Sequence, residues 1–139
     1  MVELEVKPQD DCESIYKPAY RPTIAVDFDG VIHKYSDGWQ NGEIYDGPME
    51  GAFEKLLRLY LDGFDIVIST ARNELAPVRE WWNKWYHIKF PKSEMFPVII
   101  TNNKPIAVAY VDDRAVKFTD WDDVYNSLSE TKIEKEGNE

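Results

Sequence analysis

Cysteine is almost absent from this chain. Cys12 stands alone among 139 residues, which excludes a disulfide framework and a cysteine zinc site and points to a reducing, cytoplasmic setting. Long apolar runs are missing as well, and none is long enough to span a bilayer. The stretch from Met1 to Asp10 carries acidic residues where a signal peptide would carry its apolar core, so no membrane role is expected. Positive charge is scarce: 16 Lys and Arg stand against 26 Asp and Glu, a formal net charge of −10. A surface of that sign argues against sequence-independent binding to nucleic acid, long duplexes above all. A phosphorylated substrate is not excluded. A few local cations and a bound divalent ion can hold a phosphate on an acidic protein, and carboxylates gathered round such an ion would add to the acidic total.

Apolar residues make up 43% of the chain, enough in one domain's length to bury a core without disulfides. No internal repeat or linker divides it. Residues 1–22 form a polar N-terminal extension with Pro8, Pro18 and Pro22, in which alternating Val2, Leu4 and Val6 allow a short edge strand. Residues 23–128 form the folded domain, and residues 129–139 are a Lys/Glu-rich, flexible tail.

Within the domain, strand and helix patterns alternate. Thr23 to Asp27 is short, apolar and ends in a charge, the signature of a buried strand. A helix is expected to start at Asp46-Gly47-Pro48, with Met49, Ala52, Phe53, Leu56, Leu57 and Tyr60 as its apolar stripe and Gly63 as its stop. Asp65 to Ser69 reads as a second strand. A helix from near Pro77 places Val78, Trp81, Trp82 and Trp85 on one face, at core spacing. Pro97 to Ile100 and Ala107 to Val111 are the third and fourth strands. The last helix starts on a capping-box pattern, Thr119-x-x-Asp122, and carries Val124, Tyr125 and Leu128. Such alternation predicts a three-layer, Rossmann-like α/β fold: a parallel sheet with helices on both faces. Ligands in such folds bind at the carboxyl ends of the strands.

Those ends carry Asp27-Phe28-Asp29-Gly30, then Thr70-Ala71-Arg72, then Lys104, then Asp112-Asp113-Arg114. Carboxylates packed together repel one another, and a hard divalent cation with oxygen ligands relieves this. On an extended strand Asp27 and Asp29 would point the same way, with Gly30 permitting a tight turn. One carboxylate can attack phosphorus to form an acyl phosphate. A second can pass protons to and from the reacting oxygens, while a lysine and a hydroxyl hold the phosphoryl group.

Ile-Ala-Val-Asp27-Phe-Asp29-Gly-Val resembles motif I of the haloacid dehalogenase superfamily, and Ile-Val-Ile-Ser-Thr70-Ala-Arg72 resembles its motif II. Lys104 resembles motif III and Tyr-Val-Asp112-Asp113-Arg motif IV. They occur in the family's order across roughly Thr23 to Leu128. The resemblance implies a Mg²⁺-dependent phosphomonoester hydrolase working through an aspartyl-phosphate. Asp27 would be nucleophile and metal ligand. Asp29 would be the general acid/base, binding Mg²⁺ through its backbone carbonyl; a second Asp at this position is similar to the phosphatase branch. Thr70 would hydrogen-bond the phosphoryl group, with Ser69 beside it as the other candidate. Lys104 would stabilise the nucleophile and the phosphate charge. Asp112 and Asp113 would complete the metal site, with the direct ligand between them left open. No insertion large enough for a cap domain follows motif I or motif II, so the chain resembles capless members, including small uncharacterised phage and bacterial ones. Their open sites suit bulky substrates such as phosphorylated macromolecules, or are closed by another subunit; the partner expected here is a phosphorylated substrate, a small molecule or a macromolecular end.

Each residue also has an ordinary reading. Asp-x-Asp-Gly occurs in calcium loops, and Thr70 or Lys104 taken alone would be unremarkable. Arg72 and Arg114 suit either pairing with a motif carboxylate or touching substrate. His33, in the flap that runs through Lys34, Tyr35 and Trp39, suits substrate contact or no role; His87 reads as structural. A signalling receiver domain is the main rival, since it too clusters Asp, Thr/Ser and Lys on a doubly wound sheet. A receiver's phosphorylated Asp lies in mid-chain, whereas here Asp-x-Asp comes first and Asp-Asp late. A catalytically inactive phosphate-binding protein is the other alternative.

Overall fold

The computed structural model describes residues 20–92 and 96–137. The edge strand expected at residues 2–6 lies outside the described residues. In chain order the elements are β1 (Thr23–Asp27), α1 (Ala52–Leu61), β2 (Asp65–Ser69), α2 (Ala76–Lys89), β3 (Val98–Thr101), β4 (Ala109–Val111) and α3 (Trp121–Gly137). The strands form one sheet in the order β3-β2-β1-β4, and every pairing is parallel. The result is a parallel sheet flanked by helices, a generic Rossmannoid α/β core. No helix among the described residues is long and apolar enough to cross a membrane.

Register decides what the sheet presents at its carboxyl edge. Asp27 pairs with Ser69, Ser69 with Thr101, and Val26 with Val111. Asp27, Thr70 and Asp112 therefore leave the sheet at nearly the same height, although far apart in sequence. Arg21 secures the opposite edge. Its guanidinium bonds the Asp65 carboxylate at 2.8 Å and the carbonyls of Tyr60 and Phe64 at 2.7 and 2.8 Å.

The connected core lies on the face that α1 and α2 share. Ile24, Val26, Ile66, Ile68 and Ile100 meet Phe53, Leu56, Val78, Trp81, Trp82 and Tyr86 there. Phe53 stacks on Trp82 with centroids 4.5 Å apart, and Phe28 meets Trp81 edge-on at 5.1 Å. Each large apolar side chain buried here contributes about 1.5–3 kcal/mol. The tryptophan stripe of α2 is thus core, as its spacing predicts, with Trp81 and Trp82 buried and Trp85 packed at the margin. His87 is exposed.

Several boundaries differ from expectation for local reasons. α1 starts at Ala52 rather than at Pro48, behind Gly51 at φ 83°. The chain before it is the return leg of a hairpin: Lys34 N–H bonds Gly47 O at 3.0 Å and Met49 N–H bonds Ile32 O at 2.7 Å. Gly63, at φ 115°, does end α1, donating to Tyr60 O at 3.1 Å. β4 starts at Ala109 rather than Ala107, and β3 extends to Thr101. The α3 cap sits one residue later than the pattern suggests. Asp120 Oδ1 accepts from Asp123 N–H at 2.9 Å, and Thr119 braces Asp123 from outside. α3 continues to Gly137, through residues assigned above to the tail; Glu and Lys propagate a helix well. Its Tyr125 and Leu128 are 70% and 52% exposed.

Candidate functional site

At the end of β1 the chain folds back at once. The N–H groups of Ile32 and His33 both donate to Phe28 O at 2.9 Å, and Gly30 N–H donates to His33 O at 2.8 Å. Phe28 goes fully into the core, which leaves Asp27 and Asp29 at the surface of the crevice. Their carboxylates have different partners. Asp27 joins Asp112 and Asp113, and one carboxylate oxygen of each lies within 4.8 Å of the others. Asp29, which lines the same crevice, is bonded to Arg72 and His33.

This triad could coordinate a divalent cation. Three anionic oxygens at this spacing form a hard donor set, and the electrostatics agree. The Asp27 carboxyl is pushed up to about 6, first by burial and then by the charges of Asp112, Asp113 and Asp29, against the lowering effect of the Phe28 backbone. Asp112 Oδ1 accepts the Arg114 N–H at 2.8 Å, which holds the turn after β4 and leaves Oδ2 for a ligand. Asp113 presses on Gly30. A Cβ there would fall on the Asp113 carboxylate, and Gly30 sits at φ 85°, where side chains are rarely tolerated. The glycine therefore serves both the turn and the approach of Asp113.

Asp29 is held as a carboxylate. Arg72 grips it with Nε to Oδ2 at 2.8 Å and Nη2 to Oδ1 at 3.0 Å, and His33 Nδ1 reaches Oδ1 at 2.8 Å. Burial works to raise its pKa, but the hydrogen bonds from His33 and Arg72 prevail and hold it below the usual carboxylate range. Arg72 thus takes the carboxylate-pairing role of the two open to it. Its Nη1 also donates to Gly42 O at 2.9 Å, tying the flap to the sheet. His33 is fully buried, so it does not reach out to substrate. Its Nε2 accepts the Asp46 N–H at 3.1 Å, which assigns the hydrogen to Nδ1 and makes His33 a donor to Asp29. Sequence reasoning missed this link. Its one signal is a histidine four residues past Asp29, in a turn tight enough to bring them together.

Thr70 is buried, and its hydroxyl oxygen accepts the Arg72 N–H at 3.1 Å, which leaves its hydrogen free to donate. Ser69, less buried, makes a long contact of 3.5 Å to Asn103 O. Lys104 Nζ stands 4.8 Å from the centre of the Tyr110 ring and makes no ion pair among the described residues. Two cavities meet at Asp27. One, of about 510 Å³, is lined by Asp27, Ser69, Thr70, Lys104 and Asp112. The other, of about 360 Å³, is lined by Asp27, Asp29, Arg72, Asp112, Asp113 and the flap aromatics Tyr35 and Trp39. Arg114, the second arginine, lines this flap cavity.

No protein-family model and no curated protein matches the chain. One solved structure, a conserved protein from Bacteroides thetaiotaomicron, is similar at 23% identity and a TM-score of 0.47, over 81% of this chain and 93% of the other.

Proposed function

We propose that this chain is a Mg²⁺-dependent phosphomonoester hydrolase of the haloacid dehalogenase type, without a cap domain. The observation that carries the reading is the meeting of the Asp27, Asp112 and Asp113 oxygens within 4.8 Å at the carboxyl edge of a parallel sheet. The order of the motifs along the chain supports it. In this reading Asp27, Asp112 and Asp113 hold the ion, together with the Asp29 backbone carbonyl. A bound Mg²⁺ would neutralise the carboxylates and polarise the phosphoryl oxygens.

Asp27 attacks phosphorus, and the ester oxygen departs with a proton from Asp29, leaving an acyl phosphate on Asp27. Water then attacks that phosphorus and gives its proton to Asp29, which releases inorganic phosphate, frees the Asp27 carboxylate and leaves Asp29 protonated for the next cycle. The Thr70 hydroxyl and Lys104 hold the phosphoryl oxygens as their charge shifts. Both Asp29 oxygens are engaged in the free protein, so the acid step requires one of those contacts to loosen and Asp29 to take up a proton as substrate enters.

That grip on Asp29 also favours a second reading. With both Asp29 oxygens occupied, no base would reach the hydrolytic water, and an aspartyl-phosphate formed from a donor with a good leaving group would persist, as in a receiver-like or regulatory phosphate-binding protein. Steady-state p-nitrophenyl phosphate hydrolysis with Mg²⁺ separates the two, wild type beside Asp27→Asn. Turnover that needs Mg²⁺, stops with EDTA and is lost in the variant supports the hydrolase. A stoichiometric phosphoryl adduct on Asp27 without turnover supports the second reading, and the absence of both turnover and adduct would overturn both.

A further inference from the structure

We propose that the flap cavity binds the leaving group of the substrate and selects one with a planar aromatic base, that is, a nucleoside monophosphate, with Trp39 as the stacking face. The inference rests on the phosphomonoester reading above and adds the substrate class. Asp27 and Asp112 line both cavities and so stand at the boundary between them. The phosphate-holding residues Thr70 and Lys104 belong only to the larger cavity, and Asp29 only to the flap cavity. A phosphorus held at Asp27 on the Thr70 side would send its ester oxygen towards Asp29, and the rest of the leaving group into the flap cavity.

The walls there suit a flat ring with polar edges. Trp39 is 60% exposed although it sits beside the site carboxylates. Its ring is not adrift: the Arg72 guanidinium lies 5.2 Å from its centre, which fixes the orientation through cation–π attraction. Tyr35 holds φ 58°, a backbone conformation costly for a tyrosine and of the kind that collects at ligand clamps. The flap around them is braced. Ser36 donates to Asp46 from both its N–H and its hydroxyl, at 2.9 and 2.6 Å. Tyr45 accepts from Asp37 N–H at 2.8 Å and donates to Gly38 O at 2.7 Å, and its ring stacks on Tyr35 at 6.4 Å. An aromatic wall fixed before binding loses little entropy when a ring stacks on it. Asn73 and Arg114 line the same cavity and offer hydrogen bonds to a base edge. A bare sugar phosphate would leave these groups without a partner.

The test compares kcat/KM for nucleoside 5′-monophosphates and for ribose 5-phosphate in the full-length protein with Mg²⁺. The nucleotides are expected to lead by roughly ten-fold or more, chiefly through KM, as stacking on one aromatic ring allows. In Trp39→Ala the ratio should fall towards one, and in Trp39→Phe most of it should survive. Thermal melts check that both variants are folded. A wild-type ratio near one, or a ratio unchanged in Trp39→Ala, overturns the proposal. If neither ester is turned over, binding decides this proposal, by calorimetry on Asp27→Asn, while the hydrolase reading stands or falls on p-nitrophenyl phosphate. Tighter binding of the nucleotide than of ribose 5-phosphate supports it; equal or absent binding overturns it.

Discussion

The Arg72 guanidinium closes on both carboxylate oxygens of Asp29, at 2.8 and 3.0 Å, across 43 residues of sequence. Arg72 is buried and the Asp29 side chain is only 19% exposed. Removing the guanidinium leaves a half-buried anion short of its partner, so Arg72→Ala should cost about 2–4 kcal/mol at neutral pH. The sign of the pH dependence follows from the lowered Asp29 pKa. A depressed carboxylate contributes stability above its unfolded pKa, about 3.9, and that contribution is lost as pH falls through the folded value. The gap between wild type and Arg72→Ala should therefore narrow at pH 3. Urea unfolding at pH 7 and pH 3 measures it, and a gap constant in pH would mean that Arg72 stabilises by packing alone.

Asp27 has the opposite sign. Its pKa, raised to about 6, means that the folded protein binds a proton more readily than the unfolded chain between about pH 4 and 6. The metal-free protein should lose stability as pH rises through that window and level off above it. Melting in EDTA should show a fall of a few degrees that is absent in Asp27→Asn, which carries no charge to repel. Mg²⁺ should then raise the wild-type Tm at pH 7.5 and do much less at pH 5, where the proton competes. An equal Mg²⁺ shift in Asp27→Asn would remove Asp27 from the metal site.

Gly30 tests which carboxylate of the late pair touches the ion. Alanine at φ 85° costs about 1–2 kcal/mol of backbone strain, and its Cβ displaces the Asp113 carboxylate while leaving Asp112 in its turn. If Asp113 is a direct ligand, Gly30→Ala should weaken Mg²⁺ binding by about ten-fold or more, as loss of an orienting contact does at metal sites. Unchanged affinity, by calorimetry on the folded variant, would assign the ligand role to Asp112 alone.

Much of this arrangement was legible in advance because it rests on short-range patterns. The spans of β1 and β2 follow directly from apolar runs closed by a polar residue, and the Trp81–Trp82–Trp85 stripe from helical spacing. Once the sheet is parallel, the strand ends converge and bring Asp27, Asp112 and Asp113 together. Other features depend on contacts that no local pattern encodes. Pro48 suits a first helical turn, yet the hairpin with His33 takes it. Asp29 would follow Asp27 on an extended strand, but the chain turns at Phe28 and an arginine 43 residues away captures it. Tyr125 and Leu128 show helical spacing, and burial still depends on what lies opposite.

His33 carries the last prediction. It is fully buried between Asp29 and the flap, donating from Nδ1 at 2.8 Å and accepting the Asp46 N–H on Nε2 at 3.1 Å. Its ring stacks on Phe28 with centroids 5.4 Å apart. Phenylalanine would keep that stacking and most of the volume but lose both hydrogen bonds, orphaning the Asp46 N–H and leaving Asp29 Oδ1 to Arg72 alone. The orphaned amide costs about 1–3 kcal/mol and the lost bond to Asp29 about 1 kcal/mol more, so His33→Phe should destabilise by about 2–4 kcal/mol in total. The location of the effect matters more than its size. Since the Asp46 amide anchors the end of the flap, hydrogen exchange should quicken across residues 34–46 while the amides of β1 and β2 change only with global stability. Uniform quickening would mean that His33 supports the core as a whole. Quickening confined to the flap would show that one histidine joins the carboxylate end of β1 to the segment that covers it.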